Sequence, residues 1–139
     1  MYLIDTCIFF ELIKKKPSPL VTRWILDREE VLFFVSVLTF GEIKKGIEKL
    51  PNHQRRKKLK AWFHDFMIPR YRDRFITIDE SVAIAWGDLV AKVSKTGRVL
   101  PTIDSLIAAS AIVHRLTIVT RNTKDFEGLD IPLINPWEG

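Results

Sequence analysis

The sequence has few residues that could cross-link a fold through disulfides or a soft metal. Cys7 is the single cysteine among 139 residues, and only three histidines are present. A lone cysteine excludes an intrachain disulfide and a zinc site built on paired cysteines, and it favours a reducing compartment. The histidines, at positions 53, 64 and 114, show no metal-ligand spacing. Stability therefore has to come from one hydrophobic core.

Targeting segments and nucleotide-binding loops are also missing. No apolar stretch approaches the length of a transmembrane helix, and the first residues lack the basic and apolar regions of a signal peptide. We therefore expect a cytoplasmic protein with no membrane contact. The two glycines of "GEIKKGIE" lack the Lys and Ser/Thr of a phosphate-binding loop, and no Gly-x-Gly-x-x-Gly follows a strand. Nucleotide hydrolysis of that type is not expected.

What the chain does contain is ordinary globular composition with a basic balance. Hydrophobic residues make up 47% and charged residues 28%, with no repeat or low-complexity tract, and the length predicts a single domain over residues 1–139. The formal net charge is +5 and the isoelectric point is near 9.5. This charge is a hint of a polyanionic partner such as nucleic acid, but charge alone does not identify one.

Apolar runs and helical periodicities alternate along the chain. A buried strand at residues 1–4 precedes a helix at 6–14, and the continuous run "VLFFVS" is typical of a strand buried on both faces. Helices are predicted at 19–26, from 38 to 50, around 59–67, from 80 to about 97 and at 103–115. Short strands are predicted in "RFITID", "LTIVT" and "IPLIN". The alternation predicts a three-layer α/β/α sandwich with a mostly parallel central sheet.

Four acidic positions fall at a strand end or a helix start: Asp5, Glu42, Asp104 and the turn from 122 to 125. Each has a structural explanation. Asp5 can cap the helix that begins at Thr6, Glu42 lies three residues after Thr39 as in a capping box, and Asp104 suits the first turn of its helix. The functional interpretation rests on convergence, because the carboxyl ends of parallel strands meet at one edge of the sheet.

Converging carboxylates would repel each other unless a cation lay among them. Oxygen ligands select a hard ion such as Mg²⁺ or Mn²⁺. Basic segments lie near these acids in sequence, including Lys44 and Lys45 beside Glu42 and the run "HQRRKKLKAW". That run is also the pattern of an ordinary solvated helix face. An acidic centre with a basic border is the arrangement that a metal-dependent nuclease needs.

Four segments, "LIDTCIFFELIK", "VSVLTFGEIKKGIEKL", "PTIDSLIAASAIVHRLTIVTRNTKDFEGL" and "INPWEG", resemble PIN domains, most closely the VapC toxins of toxin–antitoxin pairs, including the FitB-like branch. The resemblance covers essentially the whole chain. It implies a PIN-like sandwich and a Mg²⁺- or Mn²⁺-dependent endoribonuclease. It also implies a homodimer and a VapB-like antitoxin that occludes the acidic site, with RNA as the substrate.

Carried over by position, the resemblance implies that Asp5, Glu42 and Asp104 are the catalytic and metal-binding acids. Asp5 and Asp104 would hold the metal, and Glu42 would position it or its water. The fourth acid of the family falls on Asn122, so Asn122 would offer a carbonyl oxygen and Asp125 would approach through water.

Further contributions are expected from side chains around these acids. Thr6 and Thr120 would supply hydroxyl contacts to ligands or water. Lys44, Lys45 and Arg121 are predicted to bind nucleic acid.

Two other functions remain open at this stage. A non-catalytic nucleic-acid-binding module of the same fold would use its acids only as helix caps. A phosphoacceptor receiver domain also has an Asp at a strand end, but it requires a Lys after a late strand where this chain has Arg121. The apolar helices at 20–26 and 59–67 are candidates for a dimer interface.

Overall fold

Five short strands form one parallel sheet at the centre of the protein, in a computed structural model that describes residues 1–139. The strand order is β3-β2-β1-β4-β5, and all four pairings are parallel. The strands are β1 (Tyr2–Ile4), β2 (Phe33–Ser36), β3 (Phe75–Ile76), β4 (Thr117–Val119) and β5 (Leu133–Ile134).

Helices cover both faces of this sheet. They are α1 (Thr6–Leu12), α2 (Pro19–Leu26), α3 (Val37–Glu48), α4 (His53–Trp62), α5 (Ile68–Arg70), α6 (Glu80–Ser94) and α7 (Thr102–His114). A π-helical turn at Phe63–Met67 joins α4 to α5. The predicted three-layer α/β/α sandwich is confirmed, and the sheet is parallel throughout.

Alternation along the central strands divides the interior into two cores. Ile4 and Val119 pack with residues of α1 to α4 on one face of the sheet. Their neighbours Leu3 and Ile118 pack with residues of α6 and α7 on the other face. Successive side chains of a strand point to opposite faces, so a strand covered on both sides must be apolar at every position. This requirement explains the continuous apolar runs in the sequence.

Several predicted element boundaries are wrong in detail. The run "VLFFVS" is not one strand, because Glu30–Leu32 forms a 3₁₀ turn before β2 begins at Phe33. The Arg74 guanidinium binds the carbonyl oxygens of Glu30 and Phe33 and so holds this turn in place. Helix α1 ends at Leu12, short of the predicted residue 14.

The predicted apolar face of the helix around 59–67 is only partly correct. Leu59, Phe63 and Met67 are buried at four-residue spacing, whereas Phe66 is 51% exposed. Together with Leu26, which is 77% exposed, Phe66 borders an apolar groove between α2 and the π-helical turn that follows α4. These two segments belong to the helices predicted as a dimer interface, which stays a prediction. No helix is long and apolar enough to span a lipid bilayer.

Strand register determines which residues meet at the carboxyl edge of the sheet. Ile4 is paired with Val119, and the Asp5 amide donates to the Val119 carbonyl at 3.0 Å. The Thr120 amide in turn donates to the Ile134 carbonyl at 2.9 Å. Asp5 and Thr120 therefore lie side by side just beyond the ends of the two central strands.

Candidate active site

Asp5 occupies the N-cap of α1 and is also the centre of the acidic site. Its Oδ1 accepts from the Thr6 amide at 2.8 Å, and its Oδ2 accepts from the Thr120 hydroxyl at 2.7 Å. The residue is only 8% exposed. One oxygen satisfies the helix and the other is held by a side chain beyond β4, so the capping interpretation of Asp5 is confirmed and its role in a metal site stays a prediction.

Glu42 is not part of a capping box. The N-cap of α3 is Ser36, whose hydroxyl accepts from the Leu38 amide, and Thr39 is buried inside the helix. Glu42 instead faces α1, where the Thr6 hydroxyl donates to its Oε1 at 2.6 Å. Helix α3 therefore begins three residues earlier than a capping box at Thr39 would require. Glu42 lies inside the helix, and its side chain is directed toward the edge of the sheet.

Asp104 lies in the first turn of α7, after Pro101 at the N-cap position. Burial, together with the negative charges of Asp5, Asp125 and Glu42, raises the pKa of its carboxyl from the usual 3.8 to about 6. Charges affect a pKa in this way only at short range. The fold therefore brings these four carboxylates into one electrostatic neighbourhood, as the sequence predicts.

The pKa of Asp5 is also raised, although hydrogen bonds partly oppose the shift. Burial raises the pKa of its carboxyl, and the charges of Glu42 and Asp125 act in the same direction. The hydrogen bonds from Thr120 and Thr6 lower it, because they stabilise the ionised form. The Thr120 hydroxyl thus binds Asp5, and the Thr6 amide binds Asp5 while the Thr6 hydroxyl binds Glu42.

The turn after β4 carries Asn122 and Asp125, both exposed at the edge of the site. The Asn122 amide donates to the Thr120 hydroxyl at 3.0 Å, which ties the turn to Asp5 through one side chain. Asp125, rather than Asn122, contributes one of the three negative charges that act on Asp104, beside those of Asp5 and Glu42.

Arg98 holds this turn from the loop between α6 and α7. Its guanidinium donates to the carbonyl oxygens of Glu127, Lys124 and Asp125. The sequence offers no signal for this contact, because the partners are backbone carbonyls 26 to 29 residues away.

The donor atoms at the carboxyl edge of the sheet are of the chemical type that a hard divalent cation prefers. All are carboxylate, hydroxyl or amide oxygens except the Cys7 sulfur, and burial raises the pKa of the Cys7 thiol, which keeps it protonated and a poor ligand. In this structure no three acidic, histidine or cysteine side chains are grouped closely enough to hold a metal ion. Thr120 and Thr6 bind Asp5 and Glu42 in separate hydrogen bonds.

The predicted nucleic-acid-binding residues differ in their surroundings. Lys44 pairs with Glu48 at 2.9 Å, and Lys60 pairs with the same carboxylate. Lys45 is exposed. Arg121 follows Thr120 directly, and its guanidinium lies 5.1 Å from the centre of the Trp137 ring. Of the three predicted residues, Lys45 and Arg121 have no carboxylate partner, so their charges are available to a polyanion.

Comparison with known proteins identifies the family. The model of the PIN domain matches residues 2–131, so this chain belongs to the PIN-domain family. The chain is 30% identical to VapC ribonuclease Y4jK of Sinorhizobium fredii over 138 residues, which cover 99% of each chain. It is also 30% identical to Toxin FitB of Neisseria gonorrhoeae over 139 residues, again 99% of each.

A solved structure has the same fold along the whole length. It is the crystal structure of FitAcB from Neisseria gonorrhoeae, which matches with a TM-score of 0.94 at 27% identity and covers 100% of both chains. The resemblance of the sequence to PIN domains and to VapC and FitB toxins is thus confirmed.

Proposed function

We propose that this protein is a Mg²⁺- or Mn²⁺-dependent endoribonuclease that hydrolyses RNA phosphodiester bonds. The observation that carries the proposal is the convergence of four carboxylates at the carboxyl edge of the sheet, where burial, together with repulsion from the charges of Asp5, Asp125 and Glu42, raises the pKa of Asp104 to about 6. Such repulsion costs free energy that a bound divalent cation relieves. The name of the relative VapC ribonuclease Y4jK also supports a ribonuclease activity for this family.

Asp5 and Asp104 would hold the cation, and Glu42 would orient it or a nearby water molecule. The chemistry supplied there is activation of water for in-line attack on the phosphorus and compensation of charge on the leaving oxygen. The Thr120 hydroxyl stabilises the ionised form of Asp5 and fixes the orientation of its carboxylate through the 2.7 Å hydrogen bond. The Thr6 hydroxyl fixes the orientation of the Glu42 carboxylate. Asn122 and Asp125 complete the edge as oxygen donors, directly or through water.

The toxin role is part of the same proposal. A PIN-domain ribonuclease related to Toxin FitB requires a neutralising partner, so we propose a VapB-like antitoxin that covers the acidic edge in the cytoplasm. We also propose a homodimer, with the apolar groove between α2 and the π-helical turn after α4 as its candidate interface.

The test is RNA cleavage by the purified protein, read by sequencing the ends of the fragments. Cleavage is expected with Mg²⁺ or Mn²⁺ and not with EDTA. The substitution Asp5→Asn should lower the rate at least about a hundredfold, because a metal ligand and its charge are removed. The matched control is Asp88→Asn, which changes an exposed acid on α6. Growth arrest on expression, relieved by Asp5→Asn, would support the toxin role.

A different outcome would favour a different function. RNA binding that persists in EDTA and weakens steeply with salt, without cleavage in Mn²⁺, would indicate a non-catalytic nucleic-acid-binding module. Undiminished cleavage by the Asp5→Asn protein would remove the assignment of the acids.

A further inference from the structure

Arg121 is an exposed cation beside the acidic edge. It follows Thr120, whose hydroxyl binds Asp5, and the Arg121 amide contacts the Cys7 sulfur at 3.5 Å. Its guanidinium takes part in none of the ion pairs of the structure. Its side chain is therefore available to bind an anion at the edge of the site.

The Arg121 guanidinium lies against the ring of Trp137. The indole ring is 5.1 Å from the Arg121 guanidinium carbon, within the range of a cation–π interaction. Trp137 belongs to the C-terminal 3₁₀ turn, Pro136–Glu138, and its amide donates to the Asn135 side chain at 2.9 Å. The ring packs against the core on the α1–α4 face of the sheet.

A buried carboxylate, Glu11, lies near the Trp137 side chain. This carboxylate is buried at the end of α1 and accepts from Lys14 and from the Ser18 amide, each at 2.9 Å. Hydrogen bonds from Lys14 and Ser18 lower the pKa of Glu11, and the Trp137 side chain acts in the same direction. A buried acid that the proposed chemistry does not use thus lies near Trp137, whose ring in turn contacts the Arg121 guanidinium.

A nuclease with an acidic centre must bind its substrate against electrostatic repulsion. The phosphates that flank the scissile bond are repelled by the carboxylates, so a cation at the edge has to hold the strand in place. Lys44 is paired with Glu48, and Arg98 is committed to backbone carbonyls. Arg121 combines an unpaired charge, a position next to Asp5 and a supported side chain.

We propose that Arg121, held against Trp137, forms a phosphate-binding subsite for single-stranded RNA at the edge of the acidic site. Trp137 is a positioning residue, since it acts through Arg121. A guanidinium backed by an aromatic ring binds phosphate with less loss of side-chain freedom, and its outer face can stack on an unpaired base. This inference rests on the proposed function for the identity of the nucleic acid.

The test measures binding without turnover. A short fluorescein-labelled single-stranded RNA is titrated with the protein in EDTA at several salt concentrations, and a gel verifies that the RNA is intact. The variants are Arg121→Gln, Trp137→Leu, their combination and the conservative Trp137→Phe. The matched control is Arg115→Gln, since Arg115 is an exposed arginine that precedes β4 whereas Arg121 follows it. Thermal melts establish that each variant is folded.

Arg121→Gln is expected to weaken binding about tenfold, as for a lost charged hydrogen bond, and to reduce the slope of log Kd against log salt by about 0.7. Trp137→Leu should weaken binding in the same direction, Trp137→Phe should restore it, and the double variant should match Arg121→Gln alone. A purely structural role of Trp137 would leave the salt slope unchanged.

Equal effects of Arg121→Gln and Arg115→Gln would overturn the proposal. So would an additional loss from Trp137→Leu in the Arg121→Gln protein, since Trp137 would then contact RNA directly. If the Arg121 subsite is disproved, the proposal of metal-dependent cleavage is unaffected. If the protein does not cleave RNA, the binding measurement is still valid, so the two proposals can be rejected independently.

Discussion

Replacing Asp104 by Asn should stabilise the metal-free protein at neutral pH. The carboxyl has a pKa of about 6 in the folded protein and 3.8 in an ordinary setting, so the folded state resists its ionisation. At roughly 1.36 kcal/mol per pKa unit this corresponds to about 3 kcal/mol. Asp104 is partly exposed, so solvent screening reduces the expected gain to about 1 kcal/mol.

The gain must depend on pH in a defined way. Below pH 3.8 the carboxyl is protonated in both states and the variant gains nothing. Between pH 3.8 and about 6 the folded wild-type protein binds the proton more tightly than the unfolded chain, so wild-type stability falls as pH rises. The difference between variant and wild type should therefore grow across this window and level off above it.

Urea unfolding of both proteins in EDTA between pH 3.5 and about 7.5 measures this difference. The control is Asp88→Asn, which changes an acid exposed on α6 and should show no comparable gain. Asp104→Asn should also abolish RNA cleavage, as expected where an active site holds functional charge at the expense of stability. An Asp104→Asn protein less stable than wild type at pH 7.5 would show that the ionised Asp104 carboxylate does not destabilise the folded protein.

Three further substitutions test the supports of the site. Thr120→Val should lower the free energy of unfolding by about 2 kcal/mol in urea titrations, since it removes the hydroxyl that binds Asp5 and Asn122, whereas Thr120→Ser should retain most of that stability. Arg98→Gln should accelerate amide hydrogen exchange in the turn at 124–127, and unchanged exchange would contradict the assigned clamp. Asn122→Asp should strengthen Mn²⁺ binding in calorimetry by adding a carboxylate, and weaker binding would argue against a cation at this edge.

The sequence predicts the fold well because the sandwich leaves strong local signals. Strands covered on both faces must be apolar at every position, and Leu3 and Ile4 satisfy the two cores in turn. Asp5 is predictable as a site residue because a carboxylate directly after such a strand has to lie at the carboxyl edge of the sheet.

Other features depend on contacts that local patterns do not encode. In the sequence, Thr39 and Glu42 match a capping box. In the structure β2 ends at Ser36, so Ser36 is the N-cap and α3 begins three residues earlier than a capping box at Thr39 would require. Arg98 and Trp137 support the site through a backbone turn and a cation–π contact that link distant segments. Such partners become visible only when the tertiary structure brings the segments together.

Anomalous scattering from crystals soaked in Mn²⁺ tests the central claim most directly, because it locates the cation without reference to activity. We expect a peak within coordination distance, about 2.2 Å, of carboxylate oxygens of both Asp5 and Asp104. Soaked crystals with no peak at this edge, and with the two side chains directed away from each other, would contradict it.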